Sequence, residues 1–76
     1  MSPYLPAITG DQVVRALKRA GFYVDRIKGS HYILRRDADH RQVAVPCHRG
    51  VVVKRKTLQT ILNGAGLTAD EFREML

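Results

Sequence analysis

Three strand-like stretches separated by two short turns constrain the fold of this chain most. The stretch 22–28 is rich in aromatic and β-branched residues, and Gly29-Ser30 is a two-residue turn that joins it to the stretch 31–36. A polar turn over residues 37–40 leads to the third stretch, 42–48. Because turns this short join antiparallel neighbours, the pattern predicts a three-stranded antiparallel sheet.

Helix signals lie on both sides of the predicted sheet. Thr9 with Gln12, and Thr68 with Glu71, have the spacing of a capping box. Between the sheet and the second box, Thr57 is a candidate N-cap ahead of an apolar face of helical period. The predicted order is α-β-β-β-α with a short extra C-terminal helix. This is an α+β fold in which helices cover one face of a three-stranded antiparallel sheet.

The turns also predict which face of the sheet each side chain occupies. The predicted cross-strand pairs are Lys28 with His31, Ile27 with Tyr32, Tyr32 with Val45, and Leu34 with Val43. The face that we expect the helices to cover carries Tyr23, Ile27, Tyr32, Leu34, Val43, Val45 and Cys47. The opposite, solvent-exposed face carries Val24, Arg26, Lys28, His31, Ile33, Arg35, Gln42 and His48. A slip of one residue would exchange the two faces.

Length and composition predict one small cytoplasmic domain. A chain of 76 residues has room for a single domain, residues 1–76, of marginal stability. Residues 1–6 lack the features of a signal peptide, and no stretch approaches the roughly 20 apolar residues of a membrane helix. The lone Cys47 excludes an internal disulfide and is typical of a reducing compartment. We expect no membrane partner.

Positive charge is concentrated in the middle of the chain. The net charge is +6, and residues 25–56 hold nine of the Lys and Arg residues against three Asp residues, so this segment alone has the net charge of the whole chain. Such a concentration favours a polyanionic partner, most often a nucleic acid. The alternative is a charged surface that only keeps the protein in solution.

His31 is the candidate catalytic residue. Imidazole titrates near neutrality, and the predicted register places His31 on one face with the cations Arg26, Lys28 and Arg35, which would hold a phosphate. RNA carries its own nucleophile, the 2′-hydroxyl, so one histidine and several cations suffice for a minimal ribonuclease. The alternative is a strand-edge histidine that contacts phosphate or solvent. His48 is a diagonal neighbour at about 7–8 Å, and so a possible second acid or base.

No metal site or cofactor site is predicted. His31, His40 and His48 do not have zinc-ligand spacing, and one cysteine cannot supply a thiolate cluster. The chain also lacks a glycine-rich loop of the kind that binds phosphates. His40 lies in a predicted turn, where we expect it to be solvated.

Several segments, in their order along the chain, resemble the HicA family, the toxins of bacterial toxin–antitoxin pairs. The segments are Gly21-Phe22, Arg26-Ile27-Lys28-Gly29-Ser30-His31, Val45-Pro46-Cys47-His48, Lys56-Thr57-Leu58, Ile61-Leu62 and Gly66-Leu67. The resemblance implies a double-stranded-RNA-binding-domain-like fold and metal-independent mRNA interferase activity, with His31 as the catalytic histidine. It also implies inhibition by a HicB-like antitoxin. Lys56 stands where many members have glycine.

On this reading the protein is an endoribonuclease toxin that binds mRNA. The predicted RNA-binding residues are Arg26, Lys28, Ser30, Arg35 and His48. Two alternatives remain: an RNA-binding module of the same fold that does not cut, and an inactive toxin relic that only binds a partner. An RNA-cleavage assay separates the first interpretation from the other two.

Overall fold

The computed structural model describes residues 7–76, and the predictions made for residues 1–6 lie outside it. The elements in chain order are α1 (Gly10–Arg19), β1 (Tyr23–Lys28), β2 (His31–Arg36), a 3₁₀ turn (Asp37–Asp39), β3 (Arg41–Pro46), α2 (Arg55–Ala65) and α3 (Ala69–Glu74). The predicted α+β order, with its short extra C-terminal helix, is confirmed. Within the described range, none of the helices combines the length and the apolar character needed to cross a membrane.

Both capping boxes occur at the predicted helix starts. The Thr9 backbone N–H donates to Gln12 Oε1 over 2.9 Å at the start of α1. At the start of α3, Glu71 accepts from the Thr68 N–H over 2.9 Å, and the Glu71 N–H donates to Thr68 Oγ1 over 3.1 Å. These helix starts depend on residues three positions apart, which is why the sequence alone predicts them.

The prediction that Thr57 caps α2 is wrong. The helix begins three residues earlier than predicted, at Arg55 with Lys54 at the N-cap, so Thr57 lies in its first turn. The preceding Val53 is buried, and its N–H donates to the Ile8 carbonyl over 2.8 Å. This contact with a remote segment fixes where the chain can turn into the helix.

The sheet has the order β1-β2-β3, and all four predicted cross-strand pairs are confirmed. A β-bulge interrupts β1 between Val24 and Arg26. Val24 therefore pairs with Leu34 and packs against the core, while Tyr23 pairs with Arg35. The prediction had these two residues on the opposite faces, because it assumed strict alternation and the bulge adds one residue.

The helices pack on one face of the sheet, as predicted. The largest fully buried side chains are those of Val13, Leu17, Leu34, Val45, Leu58, Leu62 and Phe72. They come from all three helices and from β2 and β3, and they form one apolar cluster with their neighbours. The opposite face of the sheet, called the open face below, carries the first residue of β2 and the polar side chains around it.

An arginine–aspartate cluster joins the C-terminal ends of α1 and α2. The Arg36 guanidinium donates to the Ala20 carbonyl over 2.7 Å, to the Ala65 carbonyl over 3.1 Å and to Asp39 over 2.7 and 3.0 Å. Arg41 also donates to Asp39, over 3.0 Å. The Arg36 guanidinium, whose hydrogen bonds favour the charged carboxylate, is the main cause that lowers the pKa of Asp39 to about 2.

Candidate active site

The Gly29-Ser30 turn places His31 at the first position of the central strand. Gly29 has a φ of +57°, a conformation that tight hairpin turns require and that side chains other than glycine rarely adopt. His31 pairs with Lys28 on β1 and with Pro46 on β3, and its side chain is exposed. Because neighbours flank it on both sides, its backbone position is fixed by two strands.

The segment after β3 places His48 in the same groove lining as His31. The prediction extended the third strand to His48, whereas β3 ends at Pro46. The Cys47 N–H nevertheless donates to the Ser30 carbonyl over 2.7 Å, which continues the antiparallel pairing by one position. His31 pairs with Pro46, and His48 lies two positions further along the chain. His48 is therefore a diagonal neighbour of His31 in the register, as predicted.

A groove of about 440 Å³ lies between the open face and the loop that connects β3 to α2. Its lining comprises His31, Ala44 and Pro46 from the sheet, His48, Val51, Val52, Val53 and Lys54 from the loop, and Thr57 from α2. Both histidines singled out from the sequence therefore line one groove. None of these lining residues is acidic.

The predicted RNA-binding cations differ in their surroundings. Arg26 forms an ion pair with Asp25 over 2.8 Å, and Arg35 forms one with Asp37 over 3.5 Å. Lys28, next to the turn, has no carboxylate within ion-pair distance among residues 7–76. Of these three cations, Lys28 is the one whose charge is not already paired and can bind a phosphate.

Comparison with known families identifies the family to which the chain belongs. The family model described as the HicA toxin of bacterial toxin–antitoxin systems matches residues 10–67, which is most of the chain. This chain belongs to the HicA toxin family. The matched range holds the hairpin, all three strands and every lining residue of the groove. Members are toxins that act within toxin–antitoxin pairs. A comparison with curated proteins finds no match.

Four further cations of this HicA chain lie in the loop after β3 and at the start of α2, and one of them, Lys54, lines the groove. Arg49, Lys54, Arg55 and Lys56 are exposed, and none has a carboxylate partner within residues 7–76. The RNA-binding residues predicted from the sequence do not include these four. The run Lys54-Arg55-Lys56 is the sequence feature that could have indicated a phosphate-binding segment. The sequence does not reveal that the run begins at the groove.

The remaining polar groups near the HicA groove have limited roles. Ser30 is half-buried, and its carbonyl is occupied by the Cys47 N–H. Burial raises the pKa of the Cys47 thiol, which keeps it protonated and weakly nucleophilic. Within residues 7–76, no group of three or more His, Cys, Asp or Glu side chains could hold a metal ion.

Proposed function

We propose that this HicA-family toxin is a metal-independent endoribonuclease that cuts mRNA in the groove beside the Gly29-Ser30 turn, with His31 as the catalytic residue. The observation that carries the proposal is the exposed His31 at the edge of a groove that has a second histidine, a free lysine and no acidic residue. An anionic backbone can enter such a groove without repulsion. Histidine is the side chain most often used for general acid–base catalysis.

The chemistry needs one proton acceptor and a held phosphate. The His31 imidazole takes the proton of the 2′-hydroxyl, and the 2′-oxygen forms a bond to phosphorus while the bond from phosphorus to the 5′-oxygen breaks. The imidazolium then returns the proton to the departing 5′-oxygen, so the histidine ends neutral. The products are a 2′,3′-cyclic phosphate and a 5′-hydroxyl. The nucleophile belongs to the substrate, and no step is routed through a metal ion.

The surrounding residues hold the RNA. Lys28 lies opposite His31 in the hairpin and is assigned to the phosphate at the cleaved bond. His48, on the loop side of the groove, is assigned to the same phosphate or its neighbour. Arg26 and Arg35, each paired with an aspartate, are assigned weaker phosphate contacts along the sheet, and Ser30 shapes the turn that presents His31.

The expected protein partner is an acidic, HicB-like antitoxin that covers the groove, and the expected compartment is the cytoplasm. The supports are the toxin–antitoxin family of the chain and the free positive charge around the groove. An antitoxin that binds only the folded toxin would also raise its melting temperature by mass action.

The test compares His31→Ala with a matched histidine control. His40→Asn is that control, because His40 is exposed directly after the 3₁₀ turn, with a φ of +55° that asparagine tolerates. His31→Ala should lower the cleavage rate of one labelled RNA by about 10²–10⁴-fold, the usual range for general acid–base catalysis, while RNA affinity and melting temperature change little. His48→Ala should lower the rate less, and His40→Asn should leave it unchanged.

Three outcomes would contradict the proposal. A folded His31→Ala variant that cuts at the wild-type rate removes His31 from catalysis. Loss of cleavage in EDTA, or products with 5′-phosphates, indicates metal-dependent hydrolysis instead. RNA binding without any cleavage by the wild type indicates the non-catalytic module.

A further inference from the structure

Two exposed valines form one wall of the groove. Val51 and Val52 are 54% and 47% exposed, and they face the groove together with Ala44 and Pro46. Single apolar residues are common on protein surfaces. These two are adjacent in the chain and lie in the concave lining that also contains His31.

The backbone holds the valines in this position. Val52 forms an antiparallel bridge with Thr9, and the Val51 N–H donates to the His48 carbonyl over 3.0 Å. The next residue, Val53, is buried and hydrogen-bonded to Ile8. The wall is therefore formed before any ligand arrives, and its exposure does not come from a loose loop.

The phosphate chemistry of the proposed function leaves this wall unexplained. Phosphates are bound by cations and hydrogen-bond donors, and aliphatic carbons contribute neither. The part of an RNA chain with large apolar surfaces is the face of a base. Proteins that bind single strands stack unstacked bases on aromatic or Arg side chains, and pockets that receive an extruded base pack it between aromatic or apolar side chains.

We propose that the groove holds one unstacked nucleobase of a single-stranded RNA, packed against Val51 and Val52 and next to the phosphate held near His31. The proposal rests on the proposed function for the presence of RNA in the groove. Lys54, which lines the groove and has no carboxylate partner within residues 7–76, complements a phosphate next to that base. Thr57, also in the lining, offers a hydroxyl to the base edge.

A site for one unstacked base should bind single-stranded RNA in preference to duplex RNA. A duplex keeps its bases paired and stacked, so it cannot place one in the groove without unpairing. The ligand class is therefore single-stranded RNA, even though the fold resembles a domain that binds duplexes by their shape. A partner protein could also use an apolar wall, and the experiment distinguishes the two.

The experiment uses an RNA oligonucleotide that cannot be cut. A single-stranded RNA with 2′-deoxy sugars at the cleaved position is labelled with 2-aminopurine at each position in turn, and the matched duplex is prepared from it. The wild type should bind the single strand at least tenfold more tightly than the duplex, and fluorescence should change strongly at one position. The variants Val51→Ala and Val52→Ala should weaken binding of the single strand about three- to tenfold and reduce that change.

Ile27→Ala is the matched control, since Ile27 is 54% exposed but lies outside the groove lining. It should leave the fluorescence change and the affinity unchanged, and Val52→Thr, which keeps the side-chain shape, should fall between wild type and Val52→Ala. Equal binding of duplex and single strand, or valine variants that bind RNA as the wild type does, would overturn the proposal. If the valine variants weaken only the complex with an antitoxin, the wall is a protein anchor and the nucleobase assignment is wrong.

Because the oligonucleotide is not cut, this result is independent of catalysis. A wild type that binds the base in the groove but cleaves no RNA would overturn the proposed nuclease and leave the base site intact. A wild type that cuts RNA but has valine variants of unchanged affinity and cleavage pattern would overturn only the base site.

Discussion

Two groups of cations in this HicA chain differ in whether their charges are paired. At the C-terminal ends of α1 and α2, Arg36 and Arg41 share Asp39 and donate to helix carbonyls. Next to the Gly29-Ser30 turn and between β3 and the first turn of α2, Lys28 and the cations between 49 and 56 have no carboxylate partner within residues 7–76. The first group stabilises the fold, and the second leaves its charge available to a polyanion.

The comparison shows that the number of Lys and Arg residues in the segment 25–56 overstates how many cations are free to bind RNA. Every acidic residue of the segment 25–56 is used by an arginine: Asp25 by Arg26, Asp37 by Arg35, and Asp39 by Arg36 and Arg41. No lysine within residues 7–76 forms an ion pair. Arginine has a planar fork that matches a carboxylate, and lysine is a compact charge on a flexible stem.

The largest effect on stability should come from removing the arginine at the centre of the first group. Arg36→Met keeps an apolar stem over Phe22 but removes the hydrogen bonds to the Ala20 and Ala65 carbonyls and to Asp39. We expect a loss of about 2–3 kcal/mol, because hydrogen bonds from charged donors are among the strongest. Thermal melting should detect it as a drop of about 10–20 °C. Lys28→Met is the control, and an equal drop in that variant would remove the distinction between the two groups.

The largest effect on RNA binding should come from the second group. Replacing Lys54, Arg55 and Lys56 with Gln should weaken RNA binding more than tenfold at low salt and reduce the salt slope by roughly three contacts' worth. The melting temperature should hardly change, since none of the three is ion-paired within residues 7–76. Binding is measured by fluorescence anisotropy across a salt series. The same test on Arg15→Gln with Lys18→Gln, exposed cations of α1, should leave the slope near that of the wild type.

A smaller difference should separate two cations on the open face. Lys28→Ala should weaken RNA binding more than Arg35→Ala, because Arg35 already neutralises Asp37 and Lys28 has no such partner. Removing Arg35 also leaves the Asp37 carboxylate unpaired beside the RNA, so a minor loss remains. Anisotropy at one fixed low salt concentration measures both. A larger loss for Arg35→Ala would mean that its ion pair opens when RNA binds.

The smallest effect concerns pH. Asp39 has a folded-state pKa of about 2, below its ordinary value, so its stabilising contribution is present above about pH 4 and is lost as the pH falls through 2. Asp39→Asn lacks this contribution at every pH. The melting-temperature difference between wild type and Asp39→Asn should therefore be present at pH 6 and shrink towards pH 2. It should also decrease in high salt, because the ion pairs are partly exposed. A difference that stays constant from pH 6 to pH 2 would show that the charge of Asp39 is not what stabilises the cluster.

Local signals were sufficient for most of the fold. The capping boxes at Thr9 and Thr68 and the glycine turn before His31 each act over two to four residues, and the sequence predicts all of them. Strand register near a tight turn follows from the turn itself, which explains why Lys28 and His31 pair as expected. The start of α2 was misplaced because Val53, which precedes it, is fixed by Ile8 from the other end of the chain.

The sequence by itself therefore determined the order of the elements, the register at the hairpins and the position of His31 at a strand start. Only the tertiary structure decided the bulge, which exchanges the sheet faces of Tyr23 and Val24. It also decided which arginines are ion-paired, and it formed the groove between His31 and the loop from 48 to 54. The physical reason is the range of the forces involved. Caps and turns are settled by hydrogen bonds between near neighbours, whereas charge pairing and groove walls depend on contacts between residues that meet only when the chain packs.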